Sequence, residues 1–147
     1  MENYSNKIAN LFRNKFQLKK GDCVALFIEN SPEHVGIWLG LSKIGVISAL
    51  INTNLKGEQL MHSIKVAKAK YVIYGSSLTA YINTIVEDLS KDIGLIVNLE
   101  NEHDSVENCF ELNLNLKAVS DQYPILNEKI NLEGLKIFKF RKKSEMN

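Results

Sequence analysis

The chain is poor in the features that staple, anchor or charge a protein from outside. It has two cysteines, Cys23 and Cys109, in 147 residues, too few for a disulfide framework, and a reducing compartment suits both. Cys23 falls inside an apolar run and reads as a small hydrophobe. Neither sign of charge dominates: 18 basic residues face 17 acidic ones, net +1. No whole-chain field therefore argues for nucleic acid. The N-terminus, MENYSNKIANLF, is polar and amphipathic and lacks the apolar core of a secretory signal. Val35 to Ile51 is long and apolar, with Gly36 and Gly40 at the spacing of a membrane packing motif, but Lys43 and Gly45 interrupt it. A central lysine costs about 3 kcal/mol on an insertion scale, so helix followed by strand explains these residues better than a membrane span. Also missing are G-x-G-x-x-G, G-x-x-x-x-G-K-[ST] and the nucleophile elbow G-x-S-x-G.

What is present is ordinary globular material, 45% apolar and 24% charged, patterned most clearly between Lys20 and Gln59. Gly21-Asp22 turns the chain into Cys23–Ile28, an apolar run too short for a stable helix and closed by Asn30-Ser31-Pro32. Such a run suits a strand buried on both faces. Ser31 is placed to cap the next helix, Pro32 suits its first turn, and Glu33 meets the positive end of its dipole. Val35, Trp38 and Leu39 on one face, with Ile37, Leu41 and Ile44 on the next, make this helix apolar over most of its circumference, so it is expected to be largely buried, Trp38 included. Gly45 stops it, and Val46–Ile51 is a second apolar run ended by Asn52-Thr53-Asn54. Two buried strands joined by a helix form a right-handed βαβ unit with parallel strands.

The flanks extend the pattern. Tyr4, Ile8, Leu11, Phe12 and Phe16 form one face of an N-terminal helix, with Asn6, Lys7, Asn10, Arg13 and Asn14 opposite. Leu60, Met61, Ile64 and Ala67 mark a further helix, and Tyr71–Tyr74 a third strand. Leu78, Tyr81, Ile82, Ile85, Val86 and Leu89 predict one continuous helix after Gly75-Ser76-Ser77, and Leu95–Leu99 a fourth strand. Alternation of this kind predicts an α/β fold: a doubly wound, mainly parallel sheet with helices on both faces. Residues 1–99 are read as that subdomain. Residues 100–147 are read as an acidic loop, an edge strand at Leu112, Leu114 and Leu116, and an irregular, frayed basic tail with Lys136, Lys139, Arg141, Lys142 and Lys143.

Candidate chemistry is sparse. Gly75-Ser76-Ser77 lies between a strand and a helix, where backbone N–H groups could cradle an anion, though N-capping by a serine explains it better. Asn52 and Asn54 follow the carboxyl end of a parallel strand, where open α/β sheets bind ligands, yet they are also ordinary turn residues. The histidines, His34, His62 and His103, are scattered, and no Cys/His spacing suits zinc; His103, Asp104 and Cys109 read as a chance grouping. On residues alone, a stand-alone α/β regulatory or small-molecule-binding module stays open.

The pieces VALFIENSPE, WLGLSKIG, ALINTNL and AKYVIYGSSL occur in that order between Ser5 and Leu78. This ordered set resembles the N-terminal subdomain of fatty acid transport proteins, the very-long-chain acyl-CoA synthetases of the adenylate-forming, AMP-binding superfamily. The resemblance implies a long-chain fatty acid–CoA ligase that uses ATP and magnesium to form an acyl-adenylate and then transfers the acyl group to coenzyme A, coupled to fatty acid uptake. It implies work at the cytosolic face of a membrane, endoplasmic reticulum or plasma membrane. The family's Ser/Thr/Gly-rich phosphate loop would follow the matched region, where this chain reads EKINLEGLKIFKFRKKSEMN. Its magnesium-binding Glu, ribose-binding Asp and C-terminal catalytic Lys also find no match. No catalytic, cofactor-binding or metal residue is therefore carried over. The expectation is an N-terminal scaffold piece, inactive alone, holding no cofactor itself and prone to self-association.

Overall fold

In a computed structural model, residues 1–98, 110–124 and 137–139 are described. Six strands form one sheet: β1 (Cys23–Phe27), β2 (Ile47–Leu50), β3 (Tyr71–Gly75), β4 (Gly94–Asn98), β5 (Phe110–Glu111) and β6 (Ile137–Lys139). Their order is β5-β4-β3-β1-β2-β6, and every pairing is parallel. The chain moves one way from β1 to β2 and reverses to reach β3 on the other side of β1. Crossovers of a single hand then place successive helices on opposite faces. The side chains agree. Val24, Leu26 and Ile28 of the first strand point to a core shared with α1 (Glu2–Asn14), α2 (Pro32–Lys43) and α6 (Leu112–Leu116). Ala25 and Phe27 point to a second core with α3 (Gly57–Val66), α4 (Thr79–Asn83) and α5 (Val86–Leu89). The doubly wound α/β layout is thus the one the βα alternation predicts.

Helix α2 begins and ends on its sequence signals. Ser31 Oγ accepts the His34 amide at 3.1 Å, and Pro32 occupies the first turn. At the other end Gly45 takes φ of 73°. Its N–H reaches the Ser42 carbonyl and the Val46 N–H reaches that of Leu41, both at 3.0 Å, a Schellman closure that glycine makes without steric cost. Between these ends the helix divides its surface. Ile37 and Leu41 are fully buried in the core with the sheet. Gly36 and Gly40 face α1 at a distance no side chain could share: a Cβ at Gly40 would lie 2.6 Å from the Ser5 carbonyl oxygen, and one at Gly36 would enter the Tyr4 ring. The small-residue spacing that suggested a membrane motif here joins two helices of a globular layer. Burial is less complete than the apolar circumference predicts. Val35 is 46% exposed, and Trp38 and Leu39 are only half-buried at the rim.

Four further expectations are corrected. Leu112, Leu114 and Leu116 belong to a helix, and the strand lies just before them at Phe110–Glu111. Positions i and i+4 are common to both periodicities, and burial of Leu112 and Leu116 in the α1 core uses the helical one. The Asn115 side chain bonds the Glu111 carbonyl, closing that turn. The helix predicted from Ser76 to Leu89 is a 3-10 turn (Ser76–Leu78) followed by α4 and α5. Thr79 and Thr84 turn their hydroxyls back onto the carbonyls three residues earlier, at 2.8 and 2.7 Å, a bond that competes with helix continuity. Leu78, Ile82, Ile85 and Leu89 are still all buried. Asn6 and Asn10, read as an outward face, are 5% and 8% exposed because residues 120–122 lie over them. The irregular basic tail is ordered at Ile137–Lys139, which pair with β2. The acidic loop before Phe110 and the remainder of the tail lie outside the described residues.

Candidate functional site

The carboxyl ends of β1 and β2 open into a cleft of about 320 Å³. Its floor is Ile28, Leu50 and Ile51; its walls are Glu29 and Asn30 after β1, Asn52 and Thr53 after β2, and His34 in the first turn of α2. The strand register brings them together. Leu26 lies opposite Leu50, so both strands release their polar followers at one level, as open parallel sheets do where they bind ligands. Burial pushes the His34 imidazole below its ordinary pKa, which keeps it neutral at neutral pH. A neutral imidazole both donates and accepts hydrogen bonds.

The cleft holds some of the residues expected from sequence and leaves others elsewhere. Asn52 lines it, but Asn52 Oδ1 also accepts the Asn54 amide at 2.9 Å, so the turn role is real. Asn54 is exposed and outside the lining. His62 is exposed on α3. His103, Asp104 and Cys109 lie outside the described residues. Glu29 and Thr53 were not singled out as site residues from sequence; the signal for them is that Glu29 directly follows one predicted buried strand and Thr53 lies in the turn that closes the other. Gly75-Ser76-Ser77 stands at the end of β3, and neither serine is the capping residue expected there. Gly75 occupies the cap position with no side-chain cap bond, and the helical pieces beyond it are very short.

The arrangement can bind and orient a small polar group over an apolar floor. Cys23 opens β1 at the opposite end of the strand, and burial pushes its thiol up to about 11, which makes it a poor nucleophile. Among the described residues no group of three or more His, Cys, Asp or Glu could hold a metal ion. None of their helices is long and apolar enough to cross a membrane.

Comparison with known proteins places this geometry. The family model for AMP-binding enzyme matches residues 1–131. The mouse (Mus musculus) long-chain fatty acid transport protein 1 is 44% identical over 93 residues, 63% of this chain and 14% of that protein. Human (Homo sapiens) long-chain fatty acid transport protein 6 is 35% identical over 91 residues, 62% of this chain and 15% of that protein. Among solved structures, the Brucella canis acyl-CoA synthetase superposes with a TM-score of 0.75 at 17% identity, over 94% of this chain and 24% of that one. A Mycobacterium tuberculosis fatty acyl CoA synthetase gives 0.72 at 19%, over 95% and 26%. The chain thus spans about one seventh of the length of the fatty acid transport proteins it matches, and it resembles their N-terminal region. With the family model covering all but the last residues of a parallel α/β sheet of this order, the chain belongs to the AMP-binding enzyme family.

Proposed function

We propose that this chain is the N-terminal α/β region of a long-chain or very-long-chain fatty acid–CoA ligase of the fatty acid transport protein type. In the intact protein a fatty acid is activated with ATP to an acyl-adenylate, and the acyl group passes to coenzyme A. The observation that carries this reading is the 44% identity to a long-chain fatty acid transport protein, set within a family match over residues 1–131. The described residues contribute no reacting group. Among them no group of three or more His, Cys, Asp or Glu is gathered, and no step is assigned through magnesium. Their part is to present a rigid sheet, with the cleft beside His34 and Asn52 open to whatever packs on the carboxyl ends of β1 and β2. Residues 1–99 form the working unit of this scaffold, and β5, α6 and β6 extend it. A stand-alone regulatory or small-molecule-binding module is not favoured by these matches.

The same reading places the intact protein at the cytosolic face of the endoplasmic reticulum or plasma membrane, and expects the isolated chain to self-associate through surface that other segments would cover. The experiment is a segment exchange. Residues 1–98 replace the matching stretch of the mouse transport protein, and acyl-CoA formation from a long-chain fatty acid is measured for the chimera and for this chain alone. The chimera should keep most of the activity and the isolated chain should show none. Pyrophosphate release by the isolated chain, dependent on ATP and fatty acid, defeats the scaffold role. An inactive chimera that folds defeats the assignment to this family branch.

A further inference from the structure

Residues 117–124 leave α6 and run as a strap across the outer side of α1. Two asparagines on α1 hold three consecutive strap carbonyls: Asn6 Nδ2 donates to Asp121 at 3.0 Å, and Asn10 Nδ2 donates to both Ser120 and Gln122 at 2.8 Å. Lys43 of α2 ties the same group from beneath. Its Nζ donates to Ser5 Oγ at 2.8 Å and to Asn6 Oδ1 at 2.7 Å, and it lies 5.2 Å from the centre of the Tyr123 ring. Asn6 therefore bonds the strap with one end of its amide and α2 with the other. The strap itself is exposed from Ser120 to Tyr123, yet Asn6 and Asn10 beneath it are nearly dry. Seating of α1 depends in turn on its close approach to Gly36 and Gly40.

We propose that α1 and the strap 117–124 form one latch, which opens and closes as a unit while the sheet stays folded. The strap is fastened by side-chain amides, and those amides are positioned only when α1 is seated. Lifting the strap strips Asn6 and Asn10 of their partners, and undocking α1 strips three strap carbonyls of theirs, so each opening lowers the cost of the other. By reciprocity, any partner that draws the chain away at Pro124 also loosens the N-terminal helix from the Gly36–Gly40 face.

Hydrogen–deuterium exchange on the full chain, read by mass spectrometry, tests this. Asn10→Ala should speed exchange about tenfold in peptides from both α1 and 117–124, with β1 and β3 unchanged, as loss of two hydrogen bonds of ordinary strength implies. Gly36→Ala, whose added methyl would come nearest to the Tyr4 ring of α1 and to the Met1 sulfur just before it, should speed exchange in 117–124 as well. Where that variant does not fold, Tyr4→Ala weakens the same seat by removing contact. The latch is overturned when Asn10→Ala affects the strap alone, when the α1-seat variants affect α1 alone, or when all peptides, β1 and β3 included, accelerate together.

Discussion

The two faces of the sheet are packed by different means. On the α3–α4–α5 side, Leu60, Ile64, Ile82, Ile85 and Leu89 fill the space against Phe27, Val72 and Tyr74. The helices there are short or broken, and the core closes regardless, because apolar side chains at the right spacing need only reach the sheet. On the α1–α2–α6 side, apolar contact is joined by features that tolerate no substitute. Two glycines admit the first helix, a lysine and two asparagines fasten the strap over it, and Phe16 meets Phe12, Tyr71 and Phe110 at ring-centroid distances near 5 Å. One face is specified by composition and spacing, the other by shape and polar geometry. Substitutions that remove volume should therefore injure the first most, and substitutions that add volume the second.

The largest effect is expected from Leu60→Ala. Leu60 is fully buried, and a truncation of this kind costs about 2–5 kcal/mol through lost transfer energy and the cavity left behind. Denaturant unfolding should show a lower midpoint with an unchanged slope. Gly40→Ala sharpens the contrast, because the same chemical size change has the opposite direction. In an open helix it gains about 1 kcal/mol. Here the new methyl would meet the Ser5 carbonyl and the Ile8 side chain at 2.5 to 2.6 Å, and overpacking of this kind costs about 1–3 kcal/mol. Steric cost should win, leaving the chain less stable. A stabilised Gly40→Ala variant would mean that α1 yields easily and that the two faces do not differ in this way.

A smaller effect of opposite sign is expected within the same layer. Ser48 is fully buried in β2, and among the described residues its hydroxyl has no hydrogen-bond partner, as is true of the Tyr4 hydroxyl. An unsatisfied buried polar group costs about 1–3 kcal/mol. Ser48→Ala should therefore raise the thermal midpoint, by about 1 kcal/mol in stability terms. A fall instead would show that the hydroxyl is used.

The face built by spacing was the more legible of the two. Its apolar positions could be read directly, even though Thr79 and Thr84 break the helix that carries them. Strand identity was equally plain for β1 to β3, whose apolar runs end in Asn30-Ser31-Pro32, Asn52-Thr53-Asn54 and Gly75, and for the apolar run of β4. What sequence could not show depends on contacts distant along the chain. Asn6 and Asn10 look like a solvated stripe until residues 120–122 are laid over them. Trp38 looks central until Gly36 and Gly40 take the inner position beside α1 and leave the indole at the rim. The leucines after Glu111 fit two periods, and only tertiary burial decides between them. Of the cleft, Asn52 and His34 were visible as residue types, but their convergence with Glu29 needed the β1–β2 register.

His34 offers the finest test of the comparison, because it joins the α2 end of the demanding face to the cleft. Burial holds its pKa below the ordinary 6.5, so the folded chain binds this proton less readily than the unfolded chain. The stabilising contribution is therefore full above about pH 6.5 and is lost as pH falls through the lower folded value. Stability measured by denaturant titration between pH 7 and pH 5 should decline more steeply for the native chain than for His34→Asn, by a fraction of the whole because the ring is only half-buried. Parallel curves for the native chain and His34→Asn would mean that water reaches the imidazole freely. The cleft would then be an open surface groove, and the polar geometry that distinguishes this face would stop at the strap.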